Sequence, residues 1–362
     1  MYDYFFFIFF ILSLFNIKLK GLDAFFKDYM SLENTGSIKG IFVWIIIFCH
    51  KMEYGIEKKY IFILIIKNLH QNMVAMFLFY SGFGIYESFK KKGIDYSRSL
   101  LNKSIILFLK AQIIILLYLI INIFVVKNKI TLNRYLLSII FYKCLGNSNW
   151  FAFTIIVLYL YSYISFRFIK NIKFGIIIIT HICILHIIFV YNLFYRKKVL
   201  PVETTLCFIS GFLYSLIYNY TDKIILRSDI VYFGILSFII YIYYNFYYTY
   251  TILYRSIRNI SFSFIVILIS MKVQFKNDFL KFLNSHSFSI YLLQRISMII
   301  VYRKKLFINN NFIQISFEFT STFFLASLFD KYTAFIDQYF RLNSVNLTKN
   351  NYKVINNIYI NN

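Results

Sequence analysis

The chain has 362 residues, of which 60% are hydrophobic and 22% aromatic, and its mean hydropathy is +0.65. This composition excludes an ordinary soluble globular protein and is typical of a polytopic membrane protein. The net charge of +24 would suggest nucleic acid binding in a soluble protein. Here, however, Lys and Arg occur in short clusters between apolar runs, where membrane orientation and lipid headgroups explain them. We therefore expect no nucleic acid partner.

Apolar runs long enough to cross a hydrocarbon core of about 30 Å predict the transmembrane helices. In chain order the runs cover residues 4–17, 39–54, 69–89, 104–126, 135–145 with its continuation 150–166, 174–195, 202–219, 229–249, 259–272, 287–302 and 312–329. We expect an all-α polytopic membrane protein with about ten or eleven transmembrane helices. No hydrophilic stretch is long enough for an attached soluble domain.

The runs divide the chain into three parts. We expect an N-terminal hydrophobic segment with a cytoplasmic linker (1–33), a membrane-embedded domain (34–340) and a polar C-terminal tail (341–362). The first run has no basic segment before it and no small-residue cleavage site, so we expect it to remain as a signal anchor or extra helix. Turn and cap formers near residue 31 predict a linker that leads to a helix beginning near Ser37.

The basic residues predict the orientation of the chain. The densest basic loop contains Lys90, Lys91, Lys92, Arg98 and Lys103. The positive-inside rule assigns this loop to the cytoplasm, and Lys39, two predicted spans earlier, lies on the same side. His50 is eleven positions after Lys39, with only apolar residues and Gly between them. It would lie about 16 Å deeper, at mid-depth or slightly beyond.

An ionisable side chain at that depth is a candidate functional residue, because it is expensive to hold in hydrocarbon. Glu53 follows His50 by three positions, on the same face of a helix. A carboxylate beside an imidazole can fix its tautomer and raise its basicity, as a general base requires. Equally, the two residues could mark the interfacial end of a helix.

Five short segments occur in order between about residues 34 and 330. They are Lys39 with His50, Phe79–Phe83 (FYSGF), Asn149–Phe151 (NWF), Cys207–Leu213 (CFISGFL) and Leu283–Gln294 (LNSHSFSIYLLQ). In this order they resemble the acyltransferase 3 family of integral membrane acyltransferases, which modify sugars of capsules, lipopolysaccharide and other surface glycans.

The resemblance implies an O-acyltransferase, most often an O-acetyltransferase, in the plasma (inner) membrane. Its donor substrate would be acyl-CoA, usually acetyl-CoA, and its acceptor a glycan or lipid-linked glycan. No bound cofactor or metal is implied, and membrane lipids and other glycan-biosynthesis proteins are the expected partners.

The resemblance also implies roles for individual residues. His50 would be the catalytic base, and Glu53 would orient it. Lys39 could contact the donor, although snorkelling at a helix end explains it equally well. Donor binding is further assigned to Arg98 and Lys103, and the lining of the cavity to Ser81, Gly82 and Trp150.

Two other classes of protein share this hydropathy. A flippase or exporter of lipid-linked oligosaccharide predicts internal repeats and broken helices, but the sequence shows no repeat and only one Pro. A polymerase of lipid-linked oligosaccharide generally carries a large external loop with essential arginines, and no such loop is visible.

Overall fold

The structure is a computed structural model that describes residues 2–54, 66, 69–169, 171–193, 200–247, 251–307 and 310–360. The described chain is all-α, as predicted, apart from one short two-stranded ribbon. Its helices are α1 (Tyr2–Leu14), α2 (Leu32–Lys51), α3 (His70–Lys92), α4 (Tyr96–Ile121), α5 (Leu132–Ile139), α6 (Trp150–Arg167), α7 (Ile172–Leu193), α8 (Leu200–Ile225), α9 (Asp229–Asn245), α10 (Ile252–Lys272), α11 (Asp278–Ser285), α12 (Ser287–Lys304) and α13 (Asn311–Ile360).

The ribbon joins the segment after α1 to the segment after α10. Strands β1 (Ile17–Leu19) and β2 (Val273–Phe275) pair antiparallel, with Lys18 opposite Gln274. After β1 the chain enters α2 earlier than the predicted start near Ser37. Ser31 is the N-cap, and its hydroxyl accepts a hydrogen bond from the backbone N–H of Asn34.

Six helical segments in the described ranges are long and apolar enough to cross a membrane. They are Leu32–Tyr54, Tyr96–Val126, Trp150–Arg167, Ile172–Asn192, Ile252–Lys272 and Asn311–Phe340. Large apolar side chains are exposed along the outer faces of these and other helices, for example Leu185 and Phe189 on α7. Lipid, rather than water, suits such a surface. The predicted count of ten or eleven spans is not confirmed.

The prediction differs from the structure most clearly at residues 135–145. This run does not continue into the next helix, because α5 ends at Ile139 and Phe141 adopts a positive φ of 61°. The polar turn formers Gly146–Asn149 then separate it from α6. An eight-residue helix is about 12 Å long, which is too short to span a bilayer.

Helix α2 lies at the centre of the bundle, surrounded by aromatic side chains. Trp44 is 1% exposed, and its indole N–H donates to the Ser13 hydroxyl of α1 at 3.0 Å. Phe9 of α1 packs within 4.7 Å of Phe319 of α13, measured between ring centroids. The N-terminal hydrophobic segment therefore belongs to the same core as the predicted membrane domain.

Glycines bring α3 and α8 into close contact. A Cβ atom at Gly82 would overlap the carbonyl oxygen of Phe208, and one at Gly211 would overlap that of Phe79. Small residues at such positions let two helix backbones approach each other within a membrane. By contrast, a Cβ at Gly84 would meet no other atom within 4 Å.

We expect Gly82→Ala to lower the free energy of unfolding by about 1–3 kcal/mol, because the obstructing atom belongs to the backbone and cannot turn away. Gly84→Ala, the matched control two positions along, should be neutral or slightly stabilising. Thermal unfolding midpoints of the two variants in detergent measure the difference. Equal midpoints would contradict the close packing of α3 on α8.

Candidate functional site

His50 lies in the last turn of α2. Because α2 begins at Leu32, His50 is about 27 Å from the start of the helix, whereas Lys39 already lies about 10 Å in. The α-helix ends at Lys51, and Met52–Tyr54 forms a 3₁₀ turn. This turn brings Glu53 back to the imidazole, with Oε1 3.1 Å from Nδ1 of His50. The predicted pair is formed, although through the turn rather than along one helical face.

A third residue, Arg295 of α12, completes the group. One guanidinium nitrogen lies 2.6 and 2.7 Å from the two carboxylate oxygens of Glu53 and 2.8 Å from Nδ1 of His50. His50 is 8% exposed, and the Arg295 side chain is 17% exposed. We call His50, Glu53 and Arg295 the polar triad.

Arg295 is not among the site residues predicted from the sequence, although a signal was present. Arg295 is a charged residue inside the apolar segment Tyr291–Ile300. The rule that an ionisable residue at membrane depth marks a functional site applies to it as well as to His50.

The charges within the triad balance. Glu53 and Arg295 neutralise each other, so a neutral His50 needs no counter-charge. Because a guanidinium can only donate hydrogen bonds, Nδ1 either accepts from Arg295 or donates to Glu53. When Nδ1–H donates to the carboxylate, Nε2 becomes the unprotonated nitrogen, as a general base requires.

The first cavity, of about 170 Å³, lies on the basic-loop side of the triad. By basic-loop side we mean the end where α3 gives way to α4, near residues 90–96. The lining of the first cavity includes Lys39 and Ser81, together with Phe77, Phe151, Tyr159 and Tyr291. Tyr291 connects the cavity to the triad, since its ring is 6.3 Å from the His50 ring. The buried Tyr291 hydroxyl has no hydrogen-bond partner among the described residues.

The second cavity, of about 400 Å³, adjoins the first and lies nearer the basic loop. The two share the lining residues Leu107, Tyr159 and Phe288. Lys103 lines the second cavity, as the donor-binding prediction requires, and its ammonium donates to the Tyr96 hydroxyl at 2.8 Å. The two cavities form a polar and aromatic route from the basic-loop end towards the triad.

The third cavity, of about 320 Å³, lies at the opposite end of the bundle. It is formed where α2, α4 and α12 end, and its lining includes Glu53, Tyr54, Asn122, Arg134, Tyr302 and Arg303. Glu53 therefore faces this cavity, while Tyr291 faces the first. The triad lies between the two.

The other predicted site residues lie elsewhere. Gly82 lies in the α3–α8 contact, where it serves packing. Trp150 is the first residue of α6 and packs beside Phe151. Phe151 lines the first cavity, but Trp150 does not. Arg98 is half-buried on α4 and lines none of these three cavities. Its role in donor binding stays a prediction.

A buried ion pair adjoins the triad. The Lys51 ammonium lies 2.6 Å from Oε1 of Glu318 on α13, and the two side chains are 3% and 1% exposed. The pair joins the end of α2 that carries His50 to α13. In the described residues, no group of three or more His, Cys, Asp or Glu side chains is placed to hold a metal ion.

No protein-family model, curated protein or solved structure matches this chain. Its function is therefore inferred from the residues and geometry of the site.

We expect Lys51→Met to destabilise the protein by about 3–5 kcal/mol, because it leaves the Glu318 carboxylate buried without a counter-charge. The double variant Lys51→Met/Glu318→Leu removes both charges and should recover most of that loss. Thermal unfolding midpoints of the two single variants and the double variant test this. A double variant as unstable as the sum of the two single variants would contradict a direct interaction.

Proposed function

We propose that the protein is a membrane O-acyltransferase and that the acyl group it transfers is acetyl. It moves the acyl group of cytoplasmic acyl-CoA to a hydroxyl of a surface polysaccharide or its lipid-linked precursor, at the plasma membrane. One observation carries the proposal: a buried histidine beside a carboxylate and a guanidinium lies between the third cavity, at one end of the bundle, and the first cavity, which continues into the second towards the opposite end. A transferase that takes its two substrates from opposite sides of a membrane needs such a site.

The donor enters from the basic-loop end through the second and first cavities. Lys103 offers a cation to the donor phosphates near the entrance. The thioester then lies in the first cavity, between Lys39 and Tyr291. The aromatic and aliphatic lining of that cavity suits an acyl chain and keeps water away from the thioester.

The acceptor hydroxyl reaches the triad from the third cavity. Nε2 of His50 takes the hydroxyl proton as the oxygen attacks the thioester carbonyl carbon. The carbon–sulfur bond then breaks, the CoA thiolate leaves, and the imidazolium returns its proton to the thiolate. The products are the glycan ester and CoA with a free thiol, and His50 is again neutral.

Two neighbours support this step. The Glu53 carboxylate orients His50 and stabilises the transient imidazolium, as in other carboxylate–histidine pairs. The buried, unpartnered Tyr291 hydroxyl can donate to the thioester oxygen as negative charge develops on it. Arg295 binds Glu53 through both of its oxygens and so fixes the carboxylate in place.

We expect His50→Ala to abolish O-acylation of the surface glycan while the polymer is still made and exported. The acyl content of the glycan is measured by NMR and mass spectrometry in cells with the intact gene, a deletion, or the variant at matched expression. His181→Ala is the matched control, because His181 is exposed on α7, away from the polar triad, and its imidazole hydrogen-bonds to the Ile177 carbonyl oxygen one turn earlier in the same helix.

Loss of the acyl group in the deletion and in His50→Ala, but not in His181→Ala, supports the transferase. Unchanged acylation combined with failed export or altered polymer length would overturn it in favour of a flippase or polymerase.

A further inference from the structure

The third cavity carries an excess of positive charge. Among the residues that the structure describes, three ionised side chains line it, namely Glu53, Arg134 and Arg303. The negative charge of Glu53 is already neutralised by Arg295, which does not line the cavity. The two remaining guanidinium groups are exposed, and no described carboxylate forms an ion pair with either one.

The two arginines come from different elements that meet at this end of the bundle. Arg134 is on the short helix α5, where it donates to the Cys144 carbonyl oxygen at 3.3 Å. Arg303 is in the last turn of α12, two turns beyond Arg295. Both guanidinium groups therefore line the same cavity. A planar guanidinium can bind a carboxylate or a phosphate through two parallel hydrogen bonds.

The rest of the lining suits a sugar. Tyr54 and Tyr302 lie with ring centroids 5.9 Å apart, and each offers an aromatic face with a polar hydroxyl. Asn128 adds an amide group to the same cavity, whereas the amide nitrogen of Asn122 already donates to the Tyr118 and Leu145 carbonyl oxygens. A ligand with both hydroxyl groups and an anionic group matches these side chains.

We propose that the third cavity binds an anionic acceptor through Arg134 and Arg303. This inference rests on the proposed function and narrows the class of acceptor. The acceptor is a glycan whose anionic group binds the two arginines while its hydroxyl group faces Glu53 and His50. The anion is either a carboxylate on the sugar itself or the pyrophosphate that joins the glycan to its lipid carrier.

The test measures binding separately from acyl transfer. Full-length protein carrying His50→Ala is placed in nanodiscs of phosphatidylcholine, and calorimetry follows the binding of three probes. These are trigalacturonic acid for a sugar carboxylate, geranyl pyrophosphate for a lipid pyrophosphate, and maltotriose as a neutral sugar. We expect at least one anionic probe to bind about tenfold or more tightly than maltotriose. The preferred anion identifies the source.

Arg134→Gln and Arg303→Gln, each added to that background, should weaken binding of the preferred anion by about tenfold or more. Lys304→Gln is the matched control, because Lys304 is exposed next to Arg303 but does not line the cavity. It should leave binding within about twofold. Arg303 is exposed at a helix end, so its substitution is not expected to disturb folding.

Equal binding of maltotriose and the anions would overturn the inference. So would a loss in Arg303→Gln no greater than that in Lys304→Gln. Acylation of a neutral glycan by the wild-type protein without any anion binding would overturn this inference and leave the transferase standing. Anion binding that depends on the arginines, in a protein that acylates no glycan, would support this site and overturn the proposed function instead.

Discussion

The contact of Arg295 with Glu53 and His50 determines how the functional end of this bundle is arranged. It joins α12 to the end of α2, and it holds the carboxylate of Glu53, whose side chain is 52% exposed, beside the buried imidazole of His50. Without these partners the imidazole would have no group to fix its orientation. The carboxylate also supplies the counter-charge for the largely buried guanidinium of Arg295. The same contact separates the route from the basic loop from the cavity at the opposite end.

The surroundings of the triad follow the same physical pattern. Charged and polar side chains lie inside the bundle and pair with one another, while the outer faces carry apolar side chains suited to lipid. Lys51 pairs with Glu318, and Glu203 of α8 binds Arg255 of α10 at 2.7 Å. These pairs join α2 to α13 and α8 to α10.

The sequence predicted the helical class and the proximity of Glu53 to His50, whereas the roles of these two residues stay predictions. Those predictions depend on local spacing or on charge at membrane depth, both of which can be read from one chain. The contribution of Arg295 could not be located from spacing, because it comes from a helix 245 positions away. The predicted start of α2 near Ser37 is too late, because Ser31 is the N-cap. The prediction of a span over 135–145 is wrong, because composition alone does not reveal the turn after Ile139.

A cryo-EM structure of the protein with a non-hydrolysable acetyl-CoA analogue tests the proposed acyl transfer most directly. We expect the nucleotide in the second cavity, near Lys103, and the acetyl group in the first cavity. The acetyl carbonyl oxygen should lie about 3 Å from the Tyr291 hydroxyl, on the side of the site that faces His50. An analogue absent from both cavities, or one whose acetyl group lies away from the triad, would contradict the central claim that this site transfers an acyl group.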